Sequence, residues 1–208
     1  MRLPHAISLV VTSIASIASM AMVDACHGDP PPATPPASAS ASSSDASLVR
    51  ADAAATRLAT TLRQKLVEAM KAGGPPRAIE VCAADAQTIA AQVKTETGVT
   101  LGRASLRLRN PKNAPPAWVG SWLSQQGERK AEGVSGVREI VDTPGGKVAR
   151  VIRPIAIEST CLGCHGEAAF ISPEVKSVLG AKYAADAATG YHLGDLRGAL
   201  WAEAPVVP

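Results

Sequence analysis

The chain has 208 residues, of which 46% are hydrophobic and only 3% aromatic, and its formal net charge at neutral pH is +3. This length fits one globular domain with shorter appended segments and excludes a large multidomain protein. The small net charge argues against nucleic-acid binding, which relies on strongly clustered Lys and Arg residues.

The first 25 residues have the pattern of an export signal. Arg2 precedes an uncharged, mostly apolar run over residues 6–23, and Ala25 stands directly before Cys26. We therefore predict a lipoprotein-type signal over residues 1–25, with Cys26 as the lipidated residue. The apolar run also has the minimum length for an uncleaved signal anchor. Either form places the protein on the periplasmic side of a bacterial membrane.

Residues 26–46 are predicted to form a disordered tether. They are rich in Pro, Ala and Ser, and residues 27–45 contain no aromatic or branched aliphatic side chain. Such a segment cannot bury enough apolar surface to fold. The folded domain is therefore predicted over residues 47–208.

Two helices are predicted at the start of this domain. Apolar residues recur at helical spacing over residues 48–70, and the run Gly-Gly-Pro-Pro at residues 73–76 ends the pattern. A second helix is predicted over residues 76–97, with Gly98 as its C-terminal cap. The apolar stripe of this helix includes Cys82, which therefore points toward the core.

The rest of the domain is predicted to contain strands and short helices. A short helix carries Trp118 and Trp122, and another begins at Pro173. Alternation and turn residues predict four strands, over residues 101–109, 134–141, 147–157 and 195–202. Helices first and a mostly antiparallel sheet later indicate an α+β fold.

The run Cys161-Leu162-Gly163-Cys164-His165 has the attachment signature of a c-type haem. Each thiol can add to one haem vinyl group, and His165 is then held against the iron as its proximal ligand. A thioredoxin-like pair, a structural disulfide or a zinc site would explain both cysteines without explaining His165. We therefore predict one covalent haem c, attached through Cys161 and Cys164.

The other axial position of the iron has several candidate ligands. Met70 is the only methionine outside the predicted signal, and His192 and Cys82 are further strong donors. A methionine ligand would raise the reduction potential, whereas a second histidine or a thiolate would lower it. The residue types alone leave this choice open, and an open position would permit binding of a diatomic gas.

Three blocks of the sequence resemble a family of c-type haem proteins with a PAS-like fold. They cover residues 102–113 with Trp118 following, residues 161–166, and residues 183–199; Ala184 stands where the family usually has proline. The family includes small periplasmic or lumenal proteins and extracytoplasmic sensor modules of histidine kinases. The resemblance implies a PAS-like antiparallel sheet with N-terminal helices around the haem. It also implies an axial cysteine from an upstream helix, which by position is Cys82.

Polar residues of the first block are candidate contacts for the haem propionates. A guanidinium fork suits a carboxylate, so Arg107 and Arg109 are predicted to bind propionates together with Asn110. The alternative is that these residues belong to a surface strand or cap the turn that begins at Asn110.

The predicted haem favours a carrier or sensor over an enzyme, because the sequence shows no paired acid and base. With both axial positions filled, electron transfer or redox sensing is expected, through a separate redox partner or signalling protein. One alternative is a diatomic gas sensor in which Cys82 is displaced from the iron. Another is a thiol-disulfide oxidoreductase that uses Cys161 and Cys164 without haem.

Overall fold

The computed structural model describes residues 42–207 of the chain. The predicted export signal, the lipidation candidate Cys26 and most of the predicted tether lie outside the described residues. None of the helices within residues 42–207 combines the length and the apolar character needed to cross a membrane.

A long helix, α1 (Ser43–Thr97), opens the described part of the chain and is broken near its middle. Gly73 (φ −171°, ψ 23°) and Gly74 (φ 67°, ψ −163°) leave the helical region, and two prolines follow directly. Glycine accepts a positive φ, and proline cannot donate the backbone hydrogen bond that a continuous helix needs. The break separates a first arm, residues 43–72, from a second arm, residues 75–97, as the Gly-Gly-Pro-Pro run predicts.

The start of α1 differs from the prediction, which places residues 43–46 in the tether. The Ser42 side chain accepts a hydrogen bond from the backbone N–H of Asp45 at 3.1 Å, which is an N-cap. Ser47 and Leu48 are then buried against the rest of the domain. The cap lies within a Ser-rich run, so the composition of this segment does not indicate where the helix begins.

The sheet has four antiparallel strands in the order β1-β4-β3-β2. The strands are β1 (Thr100–Ala104), β2 (Val137–Thr143), β3 (Gly146–Ala156) and β4 (Leu196–Pro205). The predicted hairpin is present, because Thr143 pairs with Gly146 and leaves two residues as the turn. The last strand lies at the centre of the sheet, between β1 and β3. Residues separated widely in sequence therefore meet beside it.

Strand β1 is shorter than the predicted strand over residues 101–109. It ends at Ala104 because Ser105 turns the backbone away from the sheet: Ser105 Oγ accepts from the N–H of Arg107 at 3.1 Å. The same hydroxyl donates to the carbonyl of Arg197 at 2.9 Å. Such side-chain bonds compete with strand pairing. The following residues form a loop whose Leu108 carbonyl accepts from the N–H of Ala187 at 2.8 Å.

The two faces of the sheet are covered by different helices. Both arms of α1 pack on one face through a buried cluster that includes Leu58, Ile89 and Val151. The short helix α2 (Ala117–Gln126) belongs to a second cluster, which includes Val119 and Ile152. Adjacent residues of β3 thus face opposite layers, as the strand repeat of two requires. This arrangement confirms the α+β class and is consistent with the expected PAS-like fold.

Replacing Leu58 by alanine is expected to lower the free energy of unfolding by about 3 kcal/mol, because a buried leucine leaves a cavity. Leu58 is only 1% exposed, whereas Leu66, two turns further along the same arm, is 37% exposed. Leu66→Ala is therefore the matched control, with an expected loss below about 1 kcal/mol. Urea unfolding of both variants measures the difference. Equal losses would contradict the described packing of the first arm.

Candidate functional site

The Cys-x-x-Cys-His motif forms a tight turn shortly after β3. A 3-10 turn, Ser159–Cys161, leads into the short helix α3 (Leu162–His165). Cys161 packs beside Ile157 and Tyr191, whereas Cys164 packs beside Ile79. Both are free, half-buried thiols. The turn therefore carries two free thiols and ends at His165.

His165 is held in the protonation state that a metal ligand requires. Its Nδ1 lies 2.7 Å from the carbonyl oxygen of Ala188, so Nδ1 carries the proton and donates it. The pKa of His165 is lowered to about 3, mainly by burial and also by the nearby Arg109 and Arg197 charges, while the Ala188 contact opposes this shift. The ring is therefore neutral at physiological pH, with the Nε2 lone pair free of a proton.

The third sequence block wraps around this motif. The N–H of Tyr191 donates to the carbonyl of His165 at 2.9 Å, and the two rings pack edge to face with centroids 6.3 Å apart. The N–H of Gly190 donates to the carbonyl of Gly166 at 2.7 Å. The loop before β4 therefore fixes the orientation of His165 from the backbone as well as from the side chain.

Arg109 ties the motif to the loops on both sides of it. Its Nε donates to Asp186 Oδ2 at 3.0 Å, and its Nη2 donates to the Cys164 carbonyl at 2.5 Å. Its Nη1 lies 3.4 Å from His165 Nε2. Both partners of the ion pair are largely buried, with side-chain exposures of 11% and 12%. The guanidinium predicted to bind a propionate is thus engaged by a carboxylate of the protein.

Cys82 lies on the second arm of α1 and faces the motif, as its helical spacing predicts. Burial raises the pKa of the Cys82 thiol, while the charges of Arg103 and Arg109 lower it. Burial raises the pKa of the Cys164 thiol, and a charge on Cys82 would raise it as well. Cys164 also packs into the apolar cluster of Ile79, one turn before Cys82. The structure therefore places the turn of Cys164 against the arm of α1 that carries Cys82.

The other axial candidates lie in exposed positions. Met70 is 37% exposed, near the end of the first arm of α1. His192 lies on an exposed loop, where its Nε2 is 3.1 Å from Glu167 Oε1. Neither has the inward position of Cys82. Their exclusion as ligands stays a prediction.

The two remaining propionate candidates have local partners. Asn110 Oδ1 accepts from the N–H of Lys112 at 3.0 Å and caps a 3-10 turn, which is the alternative role considered from sequence. Arg107 is exposed, and its Nε donates to the Ala187 carbonyl at 3.3 Å. Its guanidinium carbon lies 4.2 Å from the centroid of the Tyr191 ring.

Three residues of the site escaped the sequence analysis: Arg103, Tyr191 and Arg197. Burial lowers the pKa of both Arg103 and Arg197. Arg197 Nη1 donates to Ser105 Oγ at 2.7 Å, across the boundary between β4 and the loop after β1. All three lie within the blocks that carry the family resemblance. Their position in those blocks is the one sequence feature that could have identified these three residues.

Two observations on residues 42–207 concern the alternatives to haem attachment. Cys161 and Cys164 do not form a disulfide. Within residues 42–207, no three His, Cys, Asp or Glu side chains are grouped as a protein-only metal site requires. A zinc ion would need such a group of ligands.

Replacing His165 by asparagine is expected to make the haem-free protein less sensitive to acid. The unfolded histidine protonates near pH 6.5, whereas the folded one has a pKa of about 3. Between these values the unfolded chain binds more protons, so stability falls as the pH falls. The wild type should lose about 3 kcal/mol more than the variant between pH 7 and pH 4. Urea unfolding at both pH values measures this; equal losses would contradict a neutral, buried His165.

The fold and the site together define an α+β domain in which a Cys-x-x-Cys-His turn faces a cysteine on a bent helix. The chain belongs to the Tll0287-like family, whose model matches residues 37–205. This confirms the family resemblance that the three sequence blocks indicated. Among solved structures, the cyanobacterial heme-protein Tll0287 is 26% identical over 61% of this chain and 73% of that chain, with a TM-score of 0.48. Curated proteins gave no match.

Proposed function

We propose that this protein carries one covalently attached haem c and acts in electron transfer or redox sensing. Cys161 and Cys164 form the thioether bonds, His165 is the proximal ligand and Cys82 is the distal ligand. The observation that carries the proposal is the 2.7 Å contact from His165 Nδ1 to the Ala188 carbonyl beside two free thiols. Family membership adds support, because the family's namesake is described as a cyanobacterial heme-protein.

The donor set fits a c-type haem. Each motif cysteine supplies an S–H group that adds across one vinyl double bond, so one S–C bond forms and the proton ends on carbon. His165 offers its Nε2 lone pair, because the Ala188 carbonyl holds the proton on Nδ1. Arg109 Nη1, 3.4 Å from Nε2, has to give up this contact when Nε2 binds iron.

Binding to iron would favour the thiolate form of Cys82, because a metal cation deprotonates a coordinating thiol. The positive charges of Arg103 and Arg109 oppose the effect of burial on the pKa of the Cys82 thiol. A thiolate opposite histidine stabilises ferric iron and lowers the reduction potential. When bound, the haem supplies a one-electron couple between ferric and ferrous iron. A low potential suits a carrier or a sensor of redox state.

The proposed location is the periplasmic side of a bacterial membrane. Residues 1–25 are proposed to direct export, and Cys26 to carry a lipid anchor, with an uncleaved signal anchor as the alternative. Electrons or a signal would then pass to a separate redox partner or signalling protein outside the cytoplasm. These assignments are supported by the sequence pattern of residues outside the described part of the chain.

A second candidate function is a diatomic gas sensor. Burial raises the pKa of Cys82, which favours the protonated thiol, and a thiol is a weaker ligand than a thiolate. Reduction of the iron weakens its attraction for a negative ligand as well. A gas that binds ferrous iron can then replace Cys82.

Carbon monoxide distinguishes the two functions. The haem-loaded wild type is reduced and titrated with carbon monoxide while the Soret band is recorded, with Cys82→Ala as the positive control. For electron transfer or redox sensing, the wild-type spectrum stays unchanged over a range of concentrations that saturates the variant. Binding to the wild type at the same concentration as to the variant would favour the gas sensor and contradict the proposal.

A further inference from the structure

Three arginines surround His165 with one carboxylate among them. Arg109 contacts His165 Nε2 at 3.4 Å, and the charges of Arg197 and Arg103 also act on the imidazole. The carboxylate is Asp186, which is bound to Arg109 at 3.0 Å. The three arginines and Asp186 together carry an excess of two positive charges.

Within residues 42–207, the hydrogen-bond partners of the Arg197 side chain are all uncharged. Its Nη1 donates to Ser105 Oγ at 2.7 Å and to the Arg107 carbonyl at 3.2 Å. Its guanidinium carbon lies 5.3 Å from the centroid of the Tyr191 ring. Burial lowers the pKa of Arg197, and the charges of Arg109 and Arg103 act in the same direction, while Tyr191 and Asp186 oppose them.

Arg103 makes no ion pair in the described part of the chain. It lines a cavity of about 80 Å³ together with a second cation, Lys112. The ionisable groups that act on it are Cys82 and Tyr183, neither of which is a carboxylate. Asp85, which acts on Cys82 from the same helix, forms no ion pair with the arginines within residues 42–207.

A half-buried cation without a counter-charge is unfavourable, and neighbouring cations increase the cost. The excess of two positive charges is balanced by a ligand that brings two negative ones. Haem carries two propionate groups, and a guanidinium fork binds a carboxylate through two parallel hydrogen bonds.

We propose that Arg103 and Arg197 bind the two propionate groups of the haem, and that Arg109 positions the Cys164 turn. This inference rests on the proposed function, since it requires the haem. It replaces the assignment expected from sequence for reasons of geometry. Arg109 is paired with Asp186, and Asn110 caps a turn. Arg107 binds backbone carbonyls at the surface.

The test is the pH dependence of the reduction potential of the haem-loaded protein. In the wild type, the arginines keep both propionates ionised, so the potential changes little between about pH 5 and 8. In Arg103→Gln and Arg197→Gln, a propionate takes up a proton within this range. Protonation removes a negative charge near the iron, so the potential of each variant falls as the pH rises.

Arg77→Gln is the matched control, because Arg77 is exposed and pairs with Glu80 at 3.1 Å on the surface of α1. It should keep the flat wild-type profile. Arg103→Lys and Arg197→Lys retain the charge and should restore most of that profile. A merely structural role would not create a pH-dependent potential.

One outcome would contradict the propionate assignment, and a different outcome would contradict the proposed function. If the wild type is loaded with haem but both glutamine variants keep a flat profile, the propionate assignment is wrong. If the wild type carries no haem, the proposed function fails before any variant is compared. Where a glutamine variant does not fold, the lysine variant is measured by its propionate-bending band in resonance Raman spectra. An unchanged band would likewise overturn the assignment.

Discussion

Replacing Cys82 by alanine is expected to raise the reduction potential by on the order of 100 mV, a fraction of the range that axial ligands span. Under the proposed ligation, the variant loses the thiolate that stabilises ferric iron, while the haem stays attached through Cys161 and Cys164. The ferric spectrum should lose its thiolate features at the same time. Optical spectra during a redox titration measure both changes.

The control for this variant is Thr88→Ala, at an exposed position on the same arm of α1. It should leave the potential and the ferric spectrum of the wild type unchanged. An unchanged spectrum in Cys82→Ala would show that another residue, or none, occupies the distal position. Met70 and His192 would then return as candidates.

Replacing both Cys161 and Cys164 by alanine is expected to abolish covalent attachment of haem completely. Each thiol supplies one thioether bond, so a single variant keeps one bond and the double variant keeps none. Acidified acetone should extract all haem from the double variant and none from the wild type. Absorbance of the extracted haem measures the difference.

Cys82→Ala is the matched control for attachment, because it removes a thiol from the same site without touching the motif. It should retain all of its haem after extraction. Retention of haem by the double variant would contradict the attachment assigned to the motif. Loss of haem from Cys82→Ala would contradict the division of roles among the three cysteines.

Much of the fold follows from local sequence signals. The bend of α1 follows from consecutive Gly and Pro residues at positions 73–76, and the αL cap of the helix follows from Gly98. The β2–β3 hairpin follows from a Pro-Gly turn between two alternating runs. Each of these features depends on a few adjacent residues, so no tertiary information is needed to predict it.

The early end of β1 could not be predicted, because it depends on a distant partner. Ser105 leaves the ladder while its hydroxyl bonds to the carbonyl of Arg197, 92 positions further along the chain. The alternation of residues 101–109 continues past that point and suggests a longer strand. The interaction that ends the strand is a tertiary contact, and the alternating sequence pattern does not indicate it.

The candidate site also has features that follow from local sequence and features that depend on tertiary structure. Cys161, Cys164 and His165 form a local motif, and the periodicity of the second arm predicts that Cys82 faces inward. The partners of the arginines follow from strand order instead. β4 lies between β1 and β3, and this places Arg197 beside the loop that carries Arg109. Sequence therefore named the residues proposed as iron ligands but not the arginines around them.

The most direct test of the central claim is the intact mass of the denatured protein after maturation with haem. Covalent attachment through two thioether bonds predicts the mass of the mature chain plus one haem, because addition to a vinyl group loses no atoms. A mass two hydrogens below that of the mature chain, with no haem, would indicate a disulfide between Cys161 and Cys164. That result would contradict haem attachment and favour a thiol-disulfide oxidoreductase.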